Sequence, residues 1–285
     1  MSTYKIEKQH FANVTPHQRE TMLAAFEVDD NGDIIIPYEH KGYTVNDIQI
    51  DYRTDVKAIS MFSGAGGLDI GAQLAGVKVL SSLDIFEDSV ETIKRNPFFK
   101  DTIHEVGDIT QLSGSHYKEL LDREKPEKLI IIGGPPCQPF SKAGYWVTNE
   151  KRNSSEDPRN LIVPYFKIIE DLQPDGFVLE NVESIMHPSN REAVDTIYEN
   201  MSRLGYKCSV LKINAAEYGI PQKRKRVFFL ASKKDINASL QQTHGSEKEI
   251  LANPNLLPYE RVIDWIGKFD KPEYCGEEKL AAEGK

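Results

Sequence analysis

The chain has 285 residues, 39% of them hydrophobic and 28% charged, with a net charge of −9, a make-up that suits one large globular domain with extensions. No run of about 18 apolar residues occurs, and the start MSTYKIEKQHF lacks a signal-peptide core, so neither a membrane span nor secretion is expected. The charge divides as −4 over residues 1–57, −3 over 58–232 and −2 over 233–285; no segment is a basic clamp, so any polyanion contact has to be local. Three cysteines, Cys137, Cys208 and Cys275, lie far apart without metal-ligand spacing, which argues against a disulfide framework and for a reducing cytoplasm.

Residues 1–57 show a helix pattern near Pro16–Phe26, the turn DDNGD and a short strand IIIPY. They carry no chemical motif and read as an N-terminal extension. From Lys57 the pattern changes. KAISMF reads as a buried strand, and SGAGGLDIGAQLAG as a glycine turn opening an amphipathic helix. VKVLSSLDIF is a second strand with the helix EDSVETIKRN after it, and a short strand ends before GDIT. LIIIGG and NLIVPYFKIIEDL, then GFVLENV and REAVDTIYENMSRLG, repeat the strand–helix alternation; YKCSVLKIN and KRVFFLAS close it as two strands across a polar loop. This order predicts a doubly wound, Rossmann-like α/β domain over 58–232 with a parallel sheet, and an antiparallel hairpin at one edge. Residues 233–285 form a C-terminal segment. Ligands of such sheets sit beyond the carboxyl ends of the strands, where every motif below falls.

FSGAGGLDIG places Gly64, Gly66 and Gly67 between a strand and a helix, where backbone can approach a ligand and helix N–H groups are unpaired. Asp84 follows Gly67 by 17 residues, near the spacing of about 20 at which a carboxylate grips a ribose. Asp108, in GDIT, is placed to accept from an adenine amino group; its plainer reading is a turn-capping aspartate. Cys137 stands in GGPPCQPFS, between glycines that let a substrate near and prolines that stiffen the turn. A working thiol needs such a polarised, accessible site; a lone cysteine is more often a packed core residue. Glu180 and Asn181 end the apolar strand FVLENV, where a carboxyl is costly unless paired or protonated. A protonated Glu180 would be a general acid, and a paired one a strand-end salt bridge. QKRKRVFF sets Arg224 and Arg226 on one face of the incoming strand, able to hold an oxygen or simply to line a solvated edge.

Taken in order, FSGAGGLDIG, GDIT, GGPPCQPFS, LENV and QKRKRVFF resemble the DNA (cytosine-5) methyltransferase family over about residues 58–232. The proline–cysteine and ENV elements are highly specific to that family. The resemblance implies transfer of a methyl group from S-adenosyl-L-methionine to C5 of cytosine in double-stranded DNA, in a bacterial restriction-modification setting. By the same resemblance Phe62, Gly64, Gly66 and Gly67 line the methionine and adenosine of the cofactor. Asp84 binds the ribose hydroxyls, Ile85 packs on the adenine, Asp108 takes the adenine amino group with Ile109 beside it, and Pro136 and Leu161 touch the cofactor from the catalytic side. Cys137 is the nucleophile, Glu180 the acid at N3, Arg226 the holder of O2, and Arg224 a nearby support. No metal is implied. The segment KAGYWVTNEKRNSSEDPRN resembles a loop closing over flipped DNA, with Lys142, Lys151, Arg152 and Arg159 toward phosphates.

Family members continue into a target recognition domain, a further arginine-rich motif and a GNxV-like motif. Residues 233–285 contain none of these, and PYERVIDWIGKF resembles only the helix that often precedes the recognition domain. The resemblance therefore points to the large subunit of a split enzyme, with a second polypeptide supplying DNA recognition, against a truncated or degenerate product. Alone, the chain is expected to be weakly active or inactive. Three rival readings stand beside this one: a noncatalytic subunit, a tRNA cytosine-5 methyltransferase, and an NAD oxidoreductase resting on the glycine turn and Asp84 alone.

Overall fold

The structure is a computed structural model that describes residues 2–11, 14–38, 50–52, 55–136 and 161–266. Cys137 and the segment from Lys142 to Asn160 expected to close over DNA lie outside the described residues. The chain forms two compact units, one of residues 43–214 and 225–241, the other of 1–42, 215–224 and 242–285.

The smaller unit begins with β1 (Ser2–Ile6), α1 (Pro16–Ala24), β2 (Glu27–Val28) and β3 (Ile34–Tyr38). The strands form an antiparallel sheet in the order β1-β3-β2. Its turn is the DDNGD stretch: Asp29 accepts from the backbone N–H of Asn31 and Asp33, and Lys5 bridges Asp29 and Asp33 at 2.8 and 2.9 Å.

The larger unit carries β4 (Val56–Met61), α2 (Gly67–Leu74), β5 (Lys78–Asp84), α3 (Glu87–Lys94), β6 (Ile103–Val106) and α4 (Lys118–Glu124). It continues through β7 (Lys128–Gly133), α5 (Ile162–Leu172), β8 (Gly176–Val182), α6 (Arg191–Arg203), β9 (Lys207–Asn214) and β10 (Lys225–Ser232). Its seven strands run in the order β6-β5-β4-β7-β8-β10-β9. β4 to β8 are mutually parallel, and β10 lies antiparallel to both β8 and β9. The expected hairpin is therefore present, with β9 at the edge and β10 inserted beside β8. The order reverses at β4, the place where such sheets open a crevice at their carboxyl ends.

Burial follows the residue types. Nearly all of β5 is buried, as a strand covered on both faces must be, while β8 and β10 bury alternate residues. α5 turns Ile162, Tyr165, Phe166 and Ile169 inward, and α6 turns Ala193, Ile197 and Met201, both at helical spacing. Between them Phe177 meets Phe166 and Tyr206 edge-on, with centroids 5.5 and 5.1 Å away. α4 was not expected from the sequence; it is short, and only Leu120 and Leu121 rest, half-buried, against the core.

The smaller unit ends with β11 (His244–Gly245), α7 (Glu247–Ala252), β12 (Leu257–Pro258) and α8 (Val262–Ile266). Ile250 and Leu256 from this end share one core with Ile6, Phe11, Ile34 and Ile36 from the other. The structure thus groups the chain differently from the three consecutive segments expected, because apolar residues at 6–36 and 250–256 bury one another. Among the described residues no helix is long and apolar enough to cross a membrane.

Candidate active site

The turn from Phe62 to Gly67 leaves β4 and opens α2. Phe62 has φ +56°, Gly64 +54° and Gly66 +84°. A left-handed conformation is unusual for a bulky aromatic, and strain of this kind persists where surrounding structure imposes it. Gly66 is required on two counts: its φ disfavours any side chain, and a Cβ there would lie 2.7 Å from Phe99 Cζ. Around Gly64 the space is open.

Asp84, at the end of β5, ties this turn down. Its Oδ2 accepts from the backbone N–H of Gly64 at 2.8 Å and its Oδ1 from that of Phe86 at 2.9 Å. Each carboxylate oxygen keeps acceptor capacity for a ligand hydroxyl. Asp108 is the cap that its plainer reading called for, Oδ1 accepting from Thr110 N at 2.9 Å, and it also faces the crevice.

That crevice is a cleft of about 280 Å³. It is lined by Phe62, Gly64, Asp84, Ile85, Asp108, Ile109, Pro136 and Leu161, all expected at the cofactor. Gly66 and Gly67 were expected there too, but neither lines it. Gly66 packs beneath Phe99, and Gly67 starts α2. Leu83, Phe86, Ser89, Gly107 and Gly134 also line the cleft and were missed. Phe86 carried a signal: Ile85 and Phe86 follow the acid at the strand end, and they stay 56% and 68% exposed. Two carboxylates beside exposed apolar side chains match an adenosine, whose ribose and amino group donate and whose ring needs an apolar face.

The end of β8 lies beside the turn that follows β7. Asn181 is buried and donates from Nδ2 to Pro135 O at 3.3 Å. A Cβ on Gly134 would lie 3.1 Å from Glu180 Oε2, so glycine there is what lets the carboxyl reach the turn. Glu180 Oε1 sits 2.6 Å from Arg226 Nε. The Nε–H is not aligned on it as a hydrogen bond, so the contact is an ion pair, as the plainer reading of Glu180 required. Arg226 pairs in register with Val182, and Phe228 with Glu180, so Glu180 and Arg226 are diagonal neighbours on one face. Arg224 directly precedes β10, and its carbonyl accepts from Ala215 N at 3.0 Å. It belongs to the smaller unit. The structure therefore joins Glu180, Arg226 and the Gly134–Pro136 turn, and joins the cleft residues around Asp84.

A doubly wound parallel sheet with one antiparallel insertion, and at its switch point a cleft lined by two carboxylates and apolar side chains, is the build of a nucleotide-cofactor enzyme. Comparison with known proteins narrows the class. Residues 56–277 match the family model for C-5 cytosine-specific DNA methylase, and the chain belongs to that family. The methyl donor of this family is S-adenosyl-L-methionine.

Among curated relatives, Type II methyltransferase M.FnuDI of Fusobacterium nucleatum is 36% identical, the match covering 65% of this chain and 49% of that protein. Type II methyltransferase M1.HphI of Haemophilus parahaemolyticus is 33% identical, covering 80% and 56%. M.AquIA of a Picosynechococcus strain is also 33% identical, covering 74% of this chain and 87% of the relative. The chain thus spans about half the length of several relatives it matches. Among solved structures, a candidate DNA modification methyltransferase encoded within an E. coli prophage superposes with a TM-score of 0.53 at 30% identity, over 64% of this chain and 49% of that one. The methyltransferase EhMeth of Entamoeba histolytica shares the fold, with a TM-score of 0.52 at 21% identity over 67% of this chain and 58% of its own.

Proposed function

We propose that this chain catalyses transfer of a methyl group from S-adenosyl-L-methionine to C5 of cytosine in double-stranded DNA. Bound in the cleft, the donor supplies an electrophilic methyl group on its sulfonium. Asp84 and Asp108 would hold the adenosine by its hydroxyls and amino group, with Ile85, Phe86 and Ile109 against its apolar faces.

C5 of cytosine is a poor nucleophile while the ring is aromatic. The Cys137 thiolate would form a bond to C6, and Glu180, having taken a proton from solvent once the flipped ring draws Arg226 onto O2, would pass that proton to N3 as charge builds there. The ring is then an enamine nucleophilic at C5. Arg226 would hold O2 and keep the ring in register with Glu180. After C5 takes the methyl group, the C5 proton leaves to a base, the C6–S bond breaks, the thiolate departs and the N3 proton returns to Glu180. The target base has to leave the helix stack, at a cost of roughly a few kcal/mol.

The observation that carries this reading is the meeting of Glu180, Arg226 and the Gly134–Pro136 turn at the strand ends, in the unit that also holds the cleft. It supplies an acid, an oxygen holder and the approach to the nucleophile. An NAD oxidoreductase would leave that group without a task.

Recognition of DNA is proposed to come from a second polypeptide. Several relatives are about twice as long as the part matched here, and the chain itself is acidic. A restriction-modification setting is supported by the relatives' names as Type II methyltransferases. The test is incorporation of labelled methyl into duplex DNA and into tRNA, by the chain alone and with the partner. The expected result is weak incorporation alone and strong, DNA-directed incorporation in the assembled enzyme. Strong site-specific activity from the purified chain alone would refute the split arrangement, and preference for tRNA would refute the substrate.

A further inference from the structure

The parallel strands β4 and β5 do not keep one register. Lys57 and Ala58 pair with Lys78 and Val79, but Ile59 pairs with Ser81, which leaves Leu80 as an extra residue in β5. Past this bulge Ser60 pairs with Ser82 and Met61 with Leu83. The cleft depends on the second register. It brings Leu83 O to Ser63 N at 3.1 Å and the Asp84 carboxylate to Gly64 N at 2.8 Å. A slip of one residue would turn Asp84 to the opposite face of the sheet.

One side chain reaches both strands just beyond the bulge. Asp69, in the first turn of α2, is fully buried. Its Oδ1 accepts from the Ser60 hydroxyl and its Oδ2 from the Ser82 hydroxyl, the latter at 2.6 Å. Those serines are register partners, and each stands two residues before a residue of the cleft, Phe62 and Asp84. Burial pushes the Asp69 carboxyl pKa up, and the two hydroxyls pull it back down. An acid in this place is costly beside an apolar residue of similar size, so packing alone does not account for it.

We infer that Asp69 is a positioning residue of the methyl-donor cleft, clamping β4 and β5 in their second register and so setting Asp84 against the 62–67 turn. The inference rests on reading this cleft as the S-adenosylmethionine site. Its test is titration calorimetry of S-adenosylmethionine into the full chain and its Asp69→Leu, Asp69→Asn, Ser82→Ala and Ile197→Val variants, each with its melting temperature. Ile197, in the α6 core, is a control for stability alone.

Asp69→Leu is expected to weaken binding by about tenfold or more, and Ser82→Ala by several-fold, because ligand contacts shift out of place. Asp69→Asn is expected to stay within about threefold, since an amide can accept from one hydroxyl and donate to the other. Ile197→Val is expected to lower the melting temperature and leave affinity unchanged. Should Asp69→Leu fail to fold, Ser82→Ala decides. Unchanged affinity in Asp69→Leu and Ser82→Ala would overturn the inference, as would affinity that tracks melting temperature through Ile197→Val. Absence of binding by the unmodified chain would overturn the cleft assignment first, and the clamp with it.

Discussion

Glu180 stands where an aliphatic strand ends, and what it touches decides how a carboxyl can remain there. Arg226 lies 2.6 Å from it, and Gly134 leaves it room. Such a carboxyl is legible in a sequence because an acid directly after FVL has no packing reason. The same holds for Asp84 after a buried run. The left-handed backbone of Phe62 is not legible, because a residue's type does not announce strain imposed by its neighbours. If Glu180 is the acid at N3, Glu180→Gln lowers single-turnover methyl transfer by about 10²–10⁴-fold. Affinity for S-adenosylmethionine should be kept, as Glu180 does not line the cleft. Loss of donor binding together with turnover would show the carboxyl holding up the fold instead.

At the scale of elements, the long strands and helices of the larger unit were readable, and short elements were missed, β1 and α7 although Ile6 and Ile250 are buried. α5 and α6 carry apolar stripes, whereas α4 offers the core only the adjacent pair Leu120 and Leu121. The β4–β5 bulge is invisible in sequence, since KAISMF and VKVLSSLDIF each read as one unbroken strand. The end of β7 is a tighter constraint. A Cβ on Gly133 would lie 2.8 Å from Tyr165 Cε2 and 2.9 Å from the Met61 carbonyl. Tyr165 cannot retreat easily: it is fully buried, and its hydroxyl donates to Val178 O at 2.9 Å. Gly133→Ala is therefore expected to cost about 1–3 kcal/mol of stability in urea unfolding. Gly71→Ala, in α2 with nothing within 4 Å of a Cβ, should be neutral or stabilising by about 0.5–1 kcal/mol. Equal midpoints for both variants would contradict the packing at the β7 end.

At the scale of the whole molecule, one unit holds the sheet and cleft, and the other draws its core from both ends of the sequence. Local patterning cannot show such a core, because residues 6–36 and 250–256 are unrelated in sequence and meet only on folding. The net charge of −9 removes the long-range pull on DNA that a basic enzyme enjoys, which fits recognition supplied by another chain. The central claim is a covalent one: a thiolate from this chain adds to the ring of a flipped cytosine. Its most direct measurement is capture of 5-fluorocytosine duplex DNA by the assembled enzyme with S-adenosylmethionine, followed by peptide mapping. The account predicts a denaturant-stable adduct on Cys137 that Cys137→Ser abolishes along with turnover. An adduct on another residue, or a Cys137→Ser enzyme that methylates as fast as the unmodified one, would contradict it.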